Sequence, residues 1–156
     1  MISESLIDLI QDNAEELTKR LVADVFNREE TRSYTRLPEK EVYKRAFEVY
    51  SRLRSWLSKD KSKGELKNHY TELGRVRCLE DIPLHEVVMV LMLIKRHLWL
   101  YVMESQLPNT SYELYQTLEL NNRVVLFFDR AIYFTTMGYV EELRKDIERA
   151  ALAVND

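Results

Sequence analysis

The chain has 156 residues, 46% of them hydrophobic and 31% charged, with three Gly, three Pro and a formal net charge of -3. That length and balance suit one globular domain able to bury about two thirds of its unfolded surface, which excludes a disordered chain. So few Gly and Pro cannot turn a many-stranded sheet, and the slight negative charge argues against a general binder of nucleic acid or anionic membrane.

From about Ser3 to Asn27, apolar residues fall at Leu6, Leu9, Ile10, Leu17, Leu21 and Val25, the spacing of a helix with one buried face. The same N-terminus has early acidic residues and lacks the basic start and continuous apolar core of a secretory signal. The polar stretch REETRSYTR follows. Pro38, with Glu39 and Glu41 behind it, then marks the start of a second helix lined by Tyr43, Ala46, Phe47, Tyr50, Leu53 and Leu57. After KDKSKGE, the residues Leu66, Tyr70, Leu73, Val76 and Leu79 mark a third, weaker helix that carries Gly74, with Arg75 and Arg77 expected at its wet side.

Pro83 opens the fourth helix, IPLHEVVMVLMLIKRHLWLYVME, apolar on nearly every side. Its longest run without a charge or His is the eight residues Val87 to Ile94, whereas a bilayer takes about 20, so no membrane insertion is expected. Glu86, Leu93, His97, Leu100 and Glu104 fall within about 40° of one another on the helical wheel and read as its wet edge. The remainder reads as a core helix enclosed by neighbours. Lys95 and Arg96 can lay their methylenes along that surface.

From Asn109, Thr110 or Ser111 a last helical pattern runs almost to the end, with Gly138 and Asn121–Asn122 as its weak points. Tyr115, Leu118, Val125, Phe128 and Ile132 read as packed on the bundle. Beyond them Tyr133, Met137, Val140, Leu143, Ile147, Ala150 and Val154 alternate steps of three and four, the seam of a coiled coil. An amphipathic helix folding back on its own domain fits the same pattern. One domain spanning 1–156 is expected, with 138–156 a coiled-coil or signalling-helix extension.

Catalytic motifs are not legible. The chain has no Gly-rich phosphate loop, Cys pair for zinc or Gly-flanked Ser nucleophile. Neither a catalytic set nor a metal or cofactor site is expected; Glu65 and His69, four residues apart, read as a solvated face. The lone Cys78 closes no internal disulfide and points to a cytoplasmic location by default. His85 and His97 lie about 120° apart around one helix and could not easily share one haem iron, although a single proximal His would suffice for a haem-binding oxygen or redox sensor.

The segments YKRAFEVYSRLRSWLSK, ELGRVRCLEDIPLHEVVMVLMLIKRHLW and FFDRAIYFTTMGYVEEL together resemble the N-terminal domain of RsbR-type proteins, the RsbT co-antagonists, from about Leu6 to Leu143. The resemblance implies an all-α, globin-like bundle of about five helices with a long C-terminal helix. It further implies a domain that binds no haem, forms a homodimer and serves as non-enzymatic input to a STAS or histidine kinase module or an anti-sigma-type regulator. Ligand-responsive packing is then expected around His85, Met89, Met92 and Trp99, and a dimer seam through Tyr133, Met137, Val140, Leu143 and Ile147. Where that family leads one to expect Gly before Ile-Pro-Leu, this chain has Asp81, a carboxylate near the helix start.

Overall fold

The computed structural model describes residues 2–58, 63–105 and 108–155, and among them every regular element is helical. In chain order these are α1 (Ile2–Asp12), α2 (Ala14–Asn27), a 3-10 helix η1 (Glu29–Arg36), α3 (Glu39–Ser51), α4 (Leu53–Leu57), α5 (Lys63–Leu79), α6 (Leu84–Ser105) and α7 (Ser111–Asn155). The all-α class and the long C-terminal helix are as the sequence leads one to expect.

Two expected helices are bent rather than straight. The first kinks at Asn13, whose φ of -114° and ψ of 22° leave the helical region while its side-chain amide donates to the Leu9 carbonyl at 2.8 Å. Apolar positions stay in phase across the bend, so Leu6, Ile7, Ile10, Leu17, Leu21 and Val25 share one core. The second bends at Arg52 (φ -117°, ψ 24°). There Gln11 accepts the Arg54 backbone N–H at 2.7 Å, and the Arg54 side chain bonds Glu4 and Asp8. The polar stretch REETRSYTR is the η1 helix, with Thr31 and Tyr34 buried.

Both early proline signals mark helix starts by the same device. The Pro38 carbonyl accepts from Glu41 and Val42, and the Pro83 carbonyl accepts from Glu86 and Val87. Thr110 begins α7 by accepting the Glu113 N–H on its hydroxyl at 3.0 Å, and Glu113 returns a bond from the Asn109 N–H at 2.9 Å, a variant of the capping box.

Helix α5 ends in a Schellman motif. The Ile82 N–H reaches the Arg77 carbonyl at 3.1 Å, and the Asp81 N–H reaches the Cys78 carbonyl at 3.0 Å. Asp81 sits at φ 60°, the left-handed region where glycine is favoured. It therefore occupies the position where the resemblance leads one to expect Gly, and what it supplies is the backbone turn. The turn buries Ile82, and the Tyr139 hydroxyl of α7 donates to the Ile82 carbonyl at 2.6 Å.

Helices α5 and α7 touch backbone to backbone. A Cβ built on Gly74 would overlap the Thr135 carbonyl oxygen, and one built on Gly138 would overlap the Thr71 carbonyl oxygen. The contact is reciprocal, since each glycine lies three residues after the threonine whose carbonyl its opposite number meets. Gly138 is thus no weak point of α7 but the residue that lets it dock.

Two predictions follow from these backbone contacts. Gly74→Ala or Gly138→Ala is expected to destabilise the domain by about 3 kcal/mol or more, since backbone rather than a flexible side chain must give way; urea unfolding measures it. Asp81→Gly, by contrast, is expected to raise stability by about 0.5 kcal/mol through relief of the left-handed conformation, read as a higher urea midpoint with unchanged slope.

Candidate functional site: an arginine-lined cavity and an uncovered helix face

The core encloses a cavity of about 40 Å³ between α2, η1, α3, α5 and α6. Its apolar wall comes from Leu21 of α2, Val42 and Val49 of α3, and Val90, Leu91 and Ile94 of α6. Polar side chains reach it from three elements: Tyr34 of η1, Arg45 of α3, and His69, Tyr70 and Arg77 of α5.

Glu86 holds the η1 side of this cavity in place. Its carboxylate is buried and accepts the Ser33 N–H at 2.8 Å and the Ser33 hydroxyl, pinning η1 to the first turn of α6. Tyr34 follows directly and turns inward, where the Arg77 guanidinium lies over its ring, 5.2 Å from the centroid. Burial pushes the Tyr34 hydroxyl up to about 12, partly opposed by the charge of Arg77. Arg77 is only 4% exposed and its charge is matched by Glu80 at 2.9 Å. Arg45 is half-buried, and among the described residues no carboxylate stands within ion-pair distance of it. Burial, then the neighbouring Arg77 charge, lower its pKa.

Tyr70, 2% exposed, sits edge-on to Phe127 and tilted against Trp56. His69 packs beside it, 5.0 Å from Trp56 between ring centroids. Three donors on the cavity wall are buried without a hydrogen-bond partner: Arg45 Nε, Arg77 Nε and the Tyr70 hydroxyl.

The α6 residues marked out by the sequence lie elsewhere. The cavity takes Val87, Val90, Leu91 and Ile94, whereas His85, Met89, Met92 and Trp99 occupy the opposite, outward strip. His85 and Met92 are exposed, and Met89 and Trp99 are half-buried. Arg96, Leu100 and Met103 share that strip, so α6 is enclosed on one side only. The expected wet edge is corrected. Glu86 and Leu93 are buried, His97 is hydrogen-bonded to Asp24 at 2.8 Å, and only Leu100 and Glu104 are open, Glu104 pairing with Arg20. The strip faces α2 and η1 because its polar members find partners there. Arg77, expected at the wet side, is buried for the same reason. Among the described residues no cluster of His, Cys, Asp and Glu could hold a metal ion.

Helix α7 is covered along Gln116, Leu120, Val124, Phe127, Phe128, Ala131, Thr135, Gly138, Tyr139 and Glu142. Tyr115 and Leu118, expected on the packed face, are exposed instead, while Phe128 is buried as expected. On the far side Leu126, Tyr133, Val140, Ile147 and Val154 recur every seven residues, with exposure from 41% at Val140 to 85% at Val154. Of the expected dimer seam, Tyr133, Val140, Leu143 and Ile147 are exposed and Met137 is half-buried. From Leu143 to Asn155 every side chain is exposed except the half-buried Asp146.

The family model of the RsbT co-antagonist protein rsbRD N-terminal domain matches residues 15–154, nearly the whole of this bundle. The chain belongs to that family. The matched span holds both the arginine-lined cavity and the outward face of α7. No curated protein and no solved structure matches the chain. The family is one of regulatory input domains in stress signalling, and among the described residues no helix is long and apolar enough to cross a membrane.

The arginines of the cavity carried a signal in the sequence. Leu66, Tyr70, Leu73 and Arg77 are spaced by four, three and four, and Arg45 lies between Val42 and Val49. Each arginine therefore stands in the apolar stripe of its helix, where a buried charge needs a partner.

Asp24 links α2 to α6 and offers a pH handle. Burial pushes its carboxyl up, but hydrogen bonds from Arg28 and His97 outweigh this and hold it below its ordinary 3.8. A depressed folded-state pKa contributes stability that is complete above the unfolded value and lost as pH falls through the folded one. Asp24→Asn is therefore expected to cost about 1 kcal/mol at neutral pH, discounted for partial exposure. The deficit should shrink toward zero below pH 3.8, as paired urea titrations would show.

Proposed function

We propose that this chain is the non-enzymatic sensory input of a bacterial stress-signalling protein, working as a homodimer through the outward face of α7. The observation that carries this reading is the heptad column Leu126, Tyr133, Val140, Ile147 and Val154, uncovered and opposite the face that docks on α5. A strict seven-residue apolar repeat on a free helix suits a second helix crossing at about 20°. Burial of that column against a second copy would remove apolar area from water at about 25 cal/mol per Å².

In this reading the globin-like bundle is cytoplasmic and holds no haem. His85 points outward, His97 is engaged by Asp24, neither lines the cavity, and about 40 Å³ is far short of the roughly 300 Å³ and more of ordinary cofactor pockets. These features support the reading over a haem-based oxygen or redox sensor. The outward strip of α6 at His85, Met89, Met92 and Trp99 is then a partner surface rather than the wall of an internal pocket. The open turns of α7 after Glu142, the signalling extension, relay the state of the bundle to a STAS or histidine kinase module or an anti-sigma-type regulator.

Sedimentation equilibrium tests the dimer. The wild-type domain is expected to be dimeric at micromolar concentration, and Tyr133→Lys with Leu143→Asp to shift it to monomer with little change in intrinsic unfolding. A monomeric wild type, or a double variant that stays dimeric, would overturn the α7 interface.

A further inference from the structure

The cavity contains an imbalance that the dimer reading does not use. Arg45 Nε, Arg77 Nε and the Tyr70 hydroxyl come from two different helices, are buried, and lack any partner. A buried donor without an acceptor costs about 1–3 kcal/mol, and native interiors rarely leave three around one space. A guanidinium can only donate, so the group that completes the site must accept.

The charge count narrows it further. Glu80 is ion-paired with Arg77, whereas Arg45 has no carboxylate at ion-pair distance among the described residues and feels Glu41, Glu48, Glu72 and Glu80 only at longer range, which leaves its guanidinium without a direct anionic partner at the cavity. The remaining wall is aliphatic, with Val42, Val90, Leu91 and Ile94. The volume of about 40 Å³ suits a handful of non-hydrogen atoms and excludes a long acyl chain, a nucleotide or a ring system.

We propose that the Arg45–Arg77–Tyr70 cavity binds a short aliphatic monocarboxylate of acetate to butyrate size. The carboxylate takes the two guanidinium N–H groups and the phenol O–H, and the short tail lies against the valines of α3 and α6. Arg45, His69 and Leu73, the lining side chains that also reach solvent, mark the side of entry. The link to signalling rests on the reading above. Gly74, whose backbone touches α7, lies between Tyr70 and Arg77 on α5, so a ligand that draws on those two side chains acts on the helix that positions the dimer face.

Thermal unfolding and calorimetric titration of the intact domain test the site, with sodium acetate, propionate and butyrate against sodium chloride at equal ionic strength and acetamide as the uncharged isostere. At least one carboxylate is expected to raise Tm saturably by several degrees while acetamide and chloride do not. Arg45→Met should weaken that binding at least tenfold. Tyr70→Phe, which keeps the ring packing, should weaken it severalfold, and it serves as the second probe should the arginine variant fold poorly. No carboxylate-specific rise, an equal rise with chloride, or unaltered binding in both variants would overturn the proposal and leave the cavity as a hydrated pocket. Ligand binding is read whether the domain is monomeric or dimeric, so a monomer that binds acetate retracts the α7 interface and leaves this site standing.

Discussion

At the crossing of α5 and α7, Gly74 and Gly138 let two backbones meet directly, and the other features depend on it. With no side chain between them, the two backbones meet at the carbonyls of Thr135 and Thr71, and each helix is fixed in rotation as well as distance. That rotation gives α7 its buried face and leaves the opposite column of Leu126, Tyr133, Val140, Ile147 and Val154 open. It equally turns Tyr70 and Arg77 of α5 toward the cavity. The Tyr139 hydroxyl, one residue beyond Gly138, ties the same crossing to the turn that launches α6.

A second layer of order comes from polar groups that the core has admitted. Glu86 bonds η1 to α6 through Ser33, and Arg77 reaches from α5 over Tyr34 to form its ion pair with Glu80. Buried charges of this kind seldom add net stability, because desolvation consumes most of the attraction. What they supply is position, since a charge removed from water tolerates few alternative arrangements. Arg45 has no such match among the described residues, and its position at the rim of the cavity sets it apart from the balanced pairs around it.

Much of the fold could be read from the chain before any coordinates. The fourth helix was expected between Pro83 and about Gln106 and is observed as Leu84–Ser105, because the carbonyl of a helix-starting proline and an apolar repeat leave little choice. The bends at Asn13 and Arg52 escaped notice because the apolar positions remain in phase across them. The 3-10 helix was hidden by its polar composition, although Tyr34 and Thr31 are among its most buried residues. The candidate site was missed for a related reason. Arginine and glutamate are assigned to water by default, yet Arg77 and Glu86 have partners contributed by segments remote in sequence or by a later turn, and periodicity cannot display a partner.

The sequence by itself determined that this protein is all helical, where most helices begin and end, and that its last helix carries an apolar repeat of seven, because these depend on local spacing, proline and glycine placement and composition. It also spelled out enough of the family to indicate a signalling role. The tertiary structure decided which stripe of α6 and of α7 is enclosed and which is free. A helix that is apolar on several sides has no local preference among them; for α7 the choice is made where the backbone of α5 meets it at two glycines, and for α6 by the partners that Glu86, His97 and Glu104 find on η1 and α2.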